Sequence, residues 1–414
     1  MSPDGDRRAF LAAGLVGAAG VGLGAAGASA YHASADENLE GTAPVPTEEE
    51  LDKRRIVGEA RESFYGPHQA GIAEPPLAHG VFIALGLRPE TDRSGLERML
   101  RLLSDDAARL TQGRAPLADT EPELADAPAR LRVMFALGEK AVALAGVEPP
   151  SWLRPLPAFE IDRLEDRWSG GDVLIALQSD DPIALAHAQR MLLKDSRAFC
   201  TLTWVQKGFR NARFAAPTGS QRNLFGQIDG TVNPEGSGLD THVWITDGPF
   251  AGGCSMVVRR IAMDVDEWDR VDRVGREFSV GRRMSDGSPL AGGQGENGEA
   301  DFAAKDKHGF HVIGEYSHMR RARLADDGTR HEHEQILRRP FNYDDAPTGS
   351  EISNTGLIFV SYQRDVDEQF VPMQQRLSDG DLLNTWTTPI GSAVFVVLPG
   401  CREGGFVGQS LFQR

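Results

Sequence analysis

The amino-acid sequence predicts an α+β protein made of two similar halves, and three observations support this fold class. Short apolar runs rich in Val, Ile and Leu alternate with segments whose apolar residues recur at helical spacing. The same succession of strands and helices occurs in both halves of the chain. The composition, with 40% hydrophobic and 25% charged residues over 414 positions, is that of a globular protein with roughly two or three domains.

In the first half, the predicted order is strand, helix, strand, strand, helix, strand, once a short helix at residues 139–145 is set aside. The predicted strands are residues 81–85, 131–136, 173–177 and 200–205, and the predicted helices are residues 96–110 and 182–193. This order is that of a ferredoxin-like unit, in which helices cover one face of a sheet.

The second half repeats these features. Its predicted strands are residues 255–263, 356–362 and 393–398, and its predicted helices are residues 265–277 and 366–377. We therefore predict two ferredoxin-like domains, residues 75–213 and 214–414, with antiparallel sheets and peripheral helices. Residues 282–307 are rich in Gly, Ser and Asp and predict a long loop, where function or access control commonly sits.

The N-terminus predicts export. Arg7 and Arg8 precede an uncharged run that ends in small residues at positions 28–30, which is typical of a secretory signal peptide, and the paired arginines indicate the twin-arginine route. A membrane anchor is the alternative, but residues 20–30 are almost all Gly and Ala. We expect a signal peptide at 1–30, a linker at 31–74, and a periplasmic or extracellular protein without stable membrane insertion after cleavage.

Charge and cysteine usage exclude several classes of function. The net charge of −16 repels nucleic acid and anionic lipid, so neither is an expected partner. Cys200, Cys254 and Cys401 are widely spaced and form no disulfide framework or thiolate metal motif. No C-x-x-C-H motif is present, which excludes covalent attachment of a c-type haem.

The segment 225–234, with the sequence FGQIDGTVNP, carries a candidate catalytic carboxylate. Asp229 and Gly230 form a strong turn signal between the apolar residues Ile228 and Val232. A carboxylate at the edge of a buried pocket is suited to proton transfer, because desolvation raises its pKa. An ordinary Asx turn between two strands is the alternative interpretation.

A histidine-rich segment and an arginine pair follow. Five of the ten histidines lie between residues 308 and 333, namely His308, His311, His318, His331 and His333. Their spacings do not fit a standard zinc pattern, so a surface cluster is favoured over a zinc site, with a zinc or copper protein as the weaker hypothesis. Adjacent Arg338 and Arg339 cannot both face the same way in an extended chain, so one points inward and needs a polar partner.

These motifs, in this order, resemble the dye-decolorising peroxidase family. The matching residues are Gly226-x-x-Asp229-Gly230, His318-Met-Arg and Ile336-Leu-Arg-Arg, supported by residues 257–261 and 359–364. The resemblance covers about residues 75–410 and is greatest to the exported branch that includes deferrochelatase/peroxidases of ferrous-iron uptake. It implies two ferredoxin-like domains whose sheets pack together, of the dimeric α+β barrel type, with noncovalent haem b held mainly by the second half.

The resemblance also implies a role for particular residues. His318 is expected to be the axial ligand of the haem iron, Asp229 the distal acid–base residue, and Arg338, rather than Arg339, the distal arginine. The residues expected to lie against the haem are Gly230, Thr231 and Val232. The family often has Asn-Pro-Arg shortly after the axial histidine, where this chain has Arg323-Leu-Ala.

The implied function is a haem peroxidase that reduces hydrogen peroxide and oxidises dyes, phenols or other one-electron donors. Deferrochelatase-type release of iron from haem and a non-catalytic haem carrier are the alternatives. Iron-uptake proteins and a second copy of the chain are candidate partners.

The sequence suggests two further roles, one for an acidic residue and one for aromatic residues. Asp365 is a candidate to bond the second nitrogen of His318, with a helix N-cap as the alternative. Trp386, Tyr343 and Tyr362 are candidates to carry electrons from bulky donors at the surface, although residues of these types are more often part of the core.

Overall fold

The computed structural model describes residues 57–213, 215, 220–325, 327–349 and 352–413. The predicted signal peptide and the first part of the predicted linker, up to residue 56, lie outside these ranges. Among the residues that the structure describes, no helix has the length and hydropathy needed to span a membrane.

The central element is a closed antiparallel barrel. The strands of the described chain are β1 (His79–Leu87), β2 (Arg132–Leu137), β3 (Val173–Ser179), β4 (Cys200–Phe209), β5 (Gln221–Arg222), β6 (Ile228–Asp229), β7 (Cys254–Met263), β8 (Leu337–Arg338), β9 (Phe341–Asp345), β10 (Asn354–Gln363) and β11 (Thr387–Val397). Nine of them pair in the order β7-β11-β2-β3-β1-β4-β9-β10-β8, and β7 also pairs with β10. This last pairing closes the ring.

Both halves of the chain contribute strands to this one barrel. Strand β11 pairs with β2 through Val396 and Leu137, and β4 pairs with β9 through Phe209 and Asn342. The predicted mixture of helices and antiparallel strands is therefore confirmed, in the form of a closed barrel with helices around it. Strands β5 and β6, which lie between β4 and β7 in the sequence, form a separate two-stranded antiparallel sheet.

The helices of the described chain are α1 (Arg93–Leu110), α2 (Glu139–Leu144), α3 (Pro182–Ser196), α4 (Ser237–His242), α5 (Val265–Trp268), α6 (Arg273–Val280), α7 (His318–Arg323) and α8 (Val371–Gly380). A π-helical turn, Val366–Phe370, precedes α8. Short 3₁₀ helices occur at Val57–Glu59, Pro122–Ala125, Asp166–Trp168, Gly248–Phe250, Glu332–Glu334, Leu382–Thr385 and Gln409–Leu411.

The predicted helix at residues 265–277 is two helices in the structure. Asp272 adopts an extended conformation, and its side chain accepts a hydrogen bond from the Gly275 amide at 2.7 Å. This N-cap starts α6 and keeps it separate from α5, because an N-cap residue is not itself helical.

Both faces of strands β1, β2 and β3 are buried, which explains their unbroken apolar runs. On β1, Val81, Ile83 and Leu85 pack in the core that includes α1 and α3. Phe82 and Ala84 on the opposite face belong to a second core made of strands from both halves. The second core fills the barrel, because every second side chain along each strand faces the barrel interior.

The buried Asp106 of α1 and the half-buried Asp195 of α3 place two carboxyl groups next to each other. Burial, with the hydrogen bond and negative charge of Asp106, raises the pKa of Asp195 from its ordinary value of 3.8 to about 8. Burial also raises the pKa of Asp106. Asp195 therefore keeps its proton at neutral pH, because two adjacent carboxylates in a partly buried site repel one another.

We expect this pair to make the protein less stable in alkali. Between pH 3.8 and about 8 the folded state holds a proton that the unfolded state has lost, so the free energy of unfolding falls as pH rises. Replacing Asp195→Asn should remove this dependence and raise the Tm at pH 9 by several degrees relative to the parent, with a smaller difference at pH 5. Thermal unfolding across this range tests it, with Glu148→Gln at an exposed position as the control; a parent Tm that rises between pH 6 and 9 would contradict it.

Candidate active site

Three residues that the sequence singled out line one cavity. Asp229, His318 and Arg338 all face it, together with Thr231 and Val232 from the predicted turn. The cavity has a volume of about 250 Å³. Its apolar lining comes from the turn, the helices and strands β7 and β10, namely Ile228, Ile261, Met263, Val280, Met319, Leu357, Phe359, Phe370, Met373, Leu377 and Leu383.

The turn after β6 places Asp229 at the cavity wall. Gly230 and Val232 have φ angles of +86° and +57°, in the left-handed region. A β-branched residue is rare there, and such a conformation costs about 1–3 kcal/mol. The Asp229 side chain is 14% exposed, and within the described chain no amide of its own turn donates to it. The carboxylate instead faces Arg338, with 3.7 Å between Oδ1 and Nη1.

Arg338 is fixed by the segment that follows Asp229. Its backbone amide donates to Asn233 Oδ1 at 2.9 Å, and its Nη2 donates to the Thr231 carbonyl at 2.7 Å. Asn233 in turn donates through Nδ2 to the carbonyl oxygens of Gly230 and Arg338, at 3.0 and 3.1 Å. The turn and strand β8 are thus locked together, so the carboxylate and the guanidinium keep a fixed relative position.

Arg339 points away from the cavity. Its Nε donates to the Ile72 carbonyl at 3.2 Å, and its Nη2 lies 3.4 Å from the Ala73 carbonyl. Successive side chains of a strand point to opposite sides, as the sequence analysis anticipated. Of the two adjacent arginines, the one that lines the cavity is Arg338.

His318 is the first residue of α7, and its ring is held by a carboxylate. Nδ1 lies 2.5 Å from Asp381 Oδ2, and the Asp381 side chain is only 4% exposed. Burial lowers the pKa of His318, but the charge and hydrogen bond of Asp381 outweigh it and leave the pKa raised. With Nδ1 engaged, Nε2 is the nitrogen left for a ligand, and 35% of the side chain is accessible.

The predicted partner of His318 was wrong. Asp365 accepts hydrogen bonds from the amides of Asp367 and Glu368, at 2.8 and 3.1 Å, and so caps the π-helical turn. The alternative interpretation of Asp365 as a helix N-cap is the one observed. Asp381 takes the role instead, from 63 residues beyond His318, and no local sequence signal marks a contact over that separation.

Additional arginines line the cavity. Burial lowers the pKa of Arg282 to about 10, with a further contribution from Arg338 and Arg323. Burial and the nearby Arg330 lower the pKa of Arg323. All remain cationic near neutral pH. In the part of the chain described, no carboxylate forms an ion pair with Arg282 or Arg323, so this wall is suited to an anionic ligand.

Arg282 belongs to the predicted long loop. Between α6 and α7 the chain forms isolated bridges, such as Lys305 with His311, rather than strands or helices. The Arg282 Nη1 donates to the carbonyl oxygens of Gly287 and Glu296, at 2.7 and 2.9 Å. The loop is thus folded around a cavity-lining guanidinium.

Comparison with known protein families decides the identity. Residues 69–210 match the family described as Dyp-type peroxidase, N-terminal, and residues 220–402 match Dyp-type peroxidase, C-terminal. The chain belongs to the DyP-type peroxidase family. The resemblance drawn from the sequence motifs is confirmed, and with it the prediction of a haem-dependent peroxidase.

Individual relatives agree with this assignment. The dye-decolorizing peroxidase of Thermobifida fusca is 32% identical, over 98% of this chain and 97% of the relative. The deferrochelatase of Escherichia coli strain K12 is 32% identical, over 85% of this chain and 88% of the relative. The crystal structure of a DyP-type peroxidase from Cellulomonas bogoriensis is similar, with a TM-score of 0.83 and 45% identity, over 86% of this chain and 99% of that one.

The cavity residues of this DyP-type peroxidase fit a haem. The group needs a nitrogen ligand for iron, an apolar slot for the porphyrin and cations for its two carboxylates. His318 offers the nitrogen, and the apolar lining supplies the slot. Arg282 and Arg323 supply positive charge that is without a carboxylate partner in the described residues.

Proposed function

We propose that this DyP-type peroxidase binds haem b noncovalently in the cavity, reduces hydrogen peroxide and oxidises one-electron donors such as dyes and phenols. The observation that supports this most directly is that Asp229, Arg338 and His318 line the same cavity. When bound, the haem supplies the iron and porphyrin that take up two oxidising equivalents from the peroxide.

His318 would hold the iron through Nε2. The Asp381 carboxylate accepts a hydrogen bond from Nδ1–H, which fixes the tautomer and the ring orientation and makes the imidazole a stronger ligand to the iron. Arg282 and Arg323 would hold the haem carboxylates. Gly230, Thr231 and Val232 would lie against the porphyrin, next to Asp229.

Asp229 would move a proton between the two oxygens of hydrogen peroxide. It accepts a proton from one oxygen and delivers it to the other, which then leaves as water. Arg338 stabilises the negative charge that develops on the leaving oxygen, and its hydrogen bonds to Thr231 and Asn233 fix it in place beforehand. A base positioned in this way is typically worth about 10²–10⁴-fold in rate.

The domain organisation and the location of the protein are part of the proposal. We propose two ferredoxin-like domains, 75–213 and 214–414; the change from one family match to the other between residues 210 and 220 supports this boundary. Export by the twin-arginine route to the periplasm or the exterior is supported by the sequence pattern of residues 1–30. A homo-oligomer and contact with iron-uptake proteins are proposed from the family resemblance.

The absorption spectrum of the purified protein, before and after one equivalent of hydrogen peroxide, tests the proposed function. We expect a Soret band that shifts with peroxide and returns when a one-electron donor is added. A colourless protein from cells grown with ample haem, or a Soret band unaffected by peroxide, would contradict it.

Release of iron from haem is the second candidate function, because relatives of 32% identity are named deferrochelatase. The two functions give different products. Incubation with haem and an iron chelator releases metal-free porphyrin in the second case, whereas a peroxidase returns the haem intact after peroxide and donor are consumed.

Aromatic rings connect the cavity with Trp386, which supports its predicted role in electron transfer. Phe225 lines the cavity and stacks on Trp268, with ring centroids 4.5 Å apart. Trp268 meets the half-buried Trp386 edge to face at 5.0 Å. The other two candidates, Tyr343 and Tyr362, are at most 1% exposed and belong to the barrel core, so they are not surface sites.

Replacing Trp386→Phe is expected to lower kcat/KM for bulky dyes several-fold, because phenylalanine keeps the packing but is much harder to oxidise. The rate of reaction with peroxide should stay unchanged. Steady-state rates with a bulky dye and with a small phenol, alongside rapid mixing with peroxide, test this. Trp168→Phe, a half-buried tryptophan that does not line the cavity, is the control; equal dye rates in parent and Trp386→Phe would dismiss the relay.

A further inference from the structure

The 3₁₀ helix Glu332–Glu334 and the residue before it bring two imidazoles and a carboxylate together. One donor atom from each of His331, His333 and Glu334 lies within 4.8 Å of the others. The two imidazole rings are stacked, with centroids 5.3 Å apart. His331 Nδ1 is already 2.9 Å from Glu334 Oε1. The sequence spacing alone did not favour a metal site here, because the third donor is supplied by a glutamate.

The carboxylate of this group is oriented in advance. Glu334 is 5% exposed, and its Oε2 accepts a hydrogen bond from Arg376 Nη2 at 2.5 Å. Arg376 is itself held in place by its Nε, which donates to the Arg321 carbonyl at 3.2 Å. The other oxygen, Oε1, is directed to His331. Carboxylates that bind metals are usually held in this way by an outer hydrogen-bond partner.

The surroundings decide which cations could bind. His331 and Glu334 line the cavity that also contains Arg323 and Arg330, and Arg376 lies next to Glu334. So much positive charge disfavours Mg²⁺ and Ca²⁺, which bind through carboxylate charge and oxygen ligands. Imidazole nitrogens form strong coordinate bonds with zinc and copper. His333 is exposed, so it can move the short distance that a tetrahedral site of about 2 Å bonds requires, and water can fill the fourth position.

We propose that His331, His333 and Glu334 form a binding site for a divalent transition-metal ion of the zinc and copper class, in the wall of the haem cavity. Each ligand has a distinct part. Glu334 is the buried and oriented one, His331 reaches the cavity wall, and His333 closes the site from the solvent side. The site is independent of peroxidase turnover, because it needs none of Asp229, His318 or Arg338.

Isothermal titration of the untagged holoenzyme with ZnCl₂ tests the site. We expect one high-affinity Zn²⁺ per chain, and an affinity at least about tenfold lower in His333→Ala, since loss of even an outer partner of a metal ligand costs about 10–100-fold. His308→Ala, an exposed histidine of the same segment, is the matched control and should bind as the parent does. Absence of saturable binding, or equal losses in the two variants, would overturn the proposal.

A second measurement identifies the ligands directly. With one equivalent of Cu²⁺, the electron paramagnetic resonance spectrum of the parent should show coupling to two imidazole nitrogens, and that of His333→Ala to one. A spectrum that is the same in both would overturn the assignment. Neither measurement uses peroxide, so a protein that fails as a peroxidase but binds the metal is distinguishable from the reverse.

Discussion

Replacing Asp229→Ala is expected to lower kcat/KM for hydrogen peroxide by about 10²–10⁴-fold, while haem stays bound. The methyl group of alanine cannot accept a proton. Arg338, whose Nη1 lies 3.7 Å from Asp229 Oδ1 in the parent, can stabilise negative charge but cannot carry the proton. Asp229→Asn should lose nearly as much, because the amide keeps the shape without the basicity. Rapid mixing with peroxide, followed by the Soret band, measures the rate.

The matched control for this experiment is Asp240→Asn, at an exposed aspartate of α4 outside the cavity. It should react with peroxide at the rate of the parent. If the two Asp229 variants also reacted at that rate, Asp229 would be no more than the turn residue of the alternative interpretation.

Replacing His318→Ala is expected to abolish the normal ligation of haem. The cavity then lacks the imidazole that would hold the iron, so we expect a protein that is purified with little haem and has an altered Soret band after reconstitution. Haem titration of the haem-free protein measures the affinity. Asp381→Asn should retain haem but with a weaker imidazole ligand, seen as a raised reduction potential, because a neutral amide oxygen is a weaker acceptor for Nδ1–H than a carboxylate.

His308→Ala provides the control here as well, since it removes an exposed imidazole from the same part of the sequence. A spectrum and haem affinity in His318→Ala equal to those of the parent would show that another residue binds the iron.

The strands of the barrel could be predicted where they are long. The apolar runs at residues 81–85 and 173–177 fall within β1 and β3, because strands buried on both faces read as continuous apolar sequence. Strands β5, β6 and β8 have two residues each and carry no periodic signal. Closure of the barrel was not predictable, since the pairing of β7 with β10 joins residues about a hundred positions apart.

Some residues of the site could be predicted and others could not, and the difference is their separation along the sequence. Asp229 and Gly230 form a recognisable turn. The adjacent Arg338 and Arg339 indicate side chains that point to opposite sides of a strand. The acid that bonds His318 could not be read in this way, because Asp381 and Asp365 both precede helical turns and both look like caps. Asp381 in fact does both, since its Oδ1 accepts a hydrogen bond from the Leu383 amide at 2.9 Å.

The ring of strands has a consequence for assembly. An open sheet presents unpaired amides and carbonyls along its outer strands, and a second molecule can add its own strand to such a template. Here β10 bonds back to β7 and closes the ring, and β8, the described strand that ends the pairing order, is only two residues long. The barrel therefore offers a second molecule little template for adding a strand, and concentrated solutions should be resistant to fibril growth as long as the barrel stays shut.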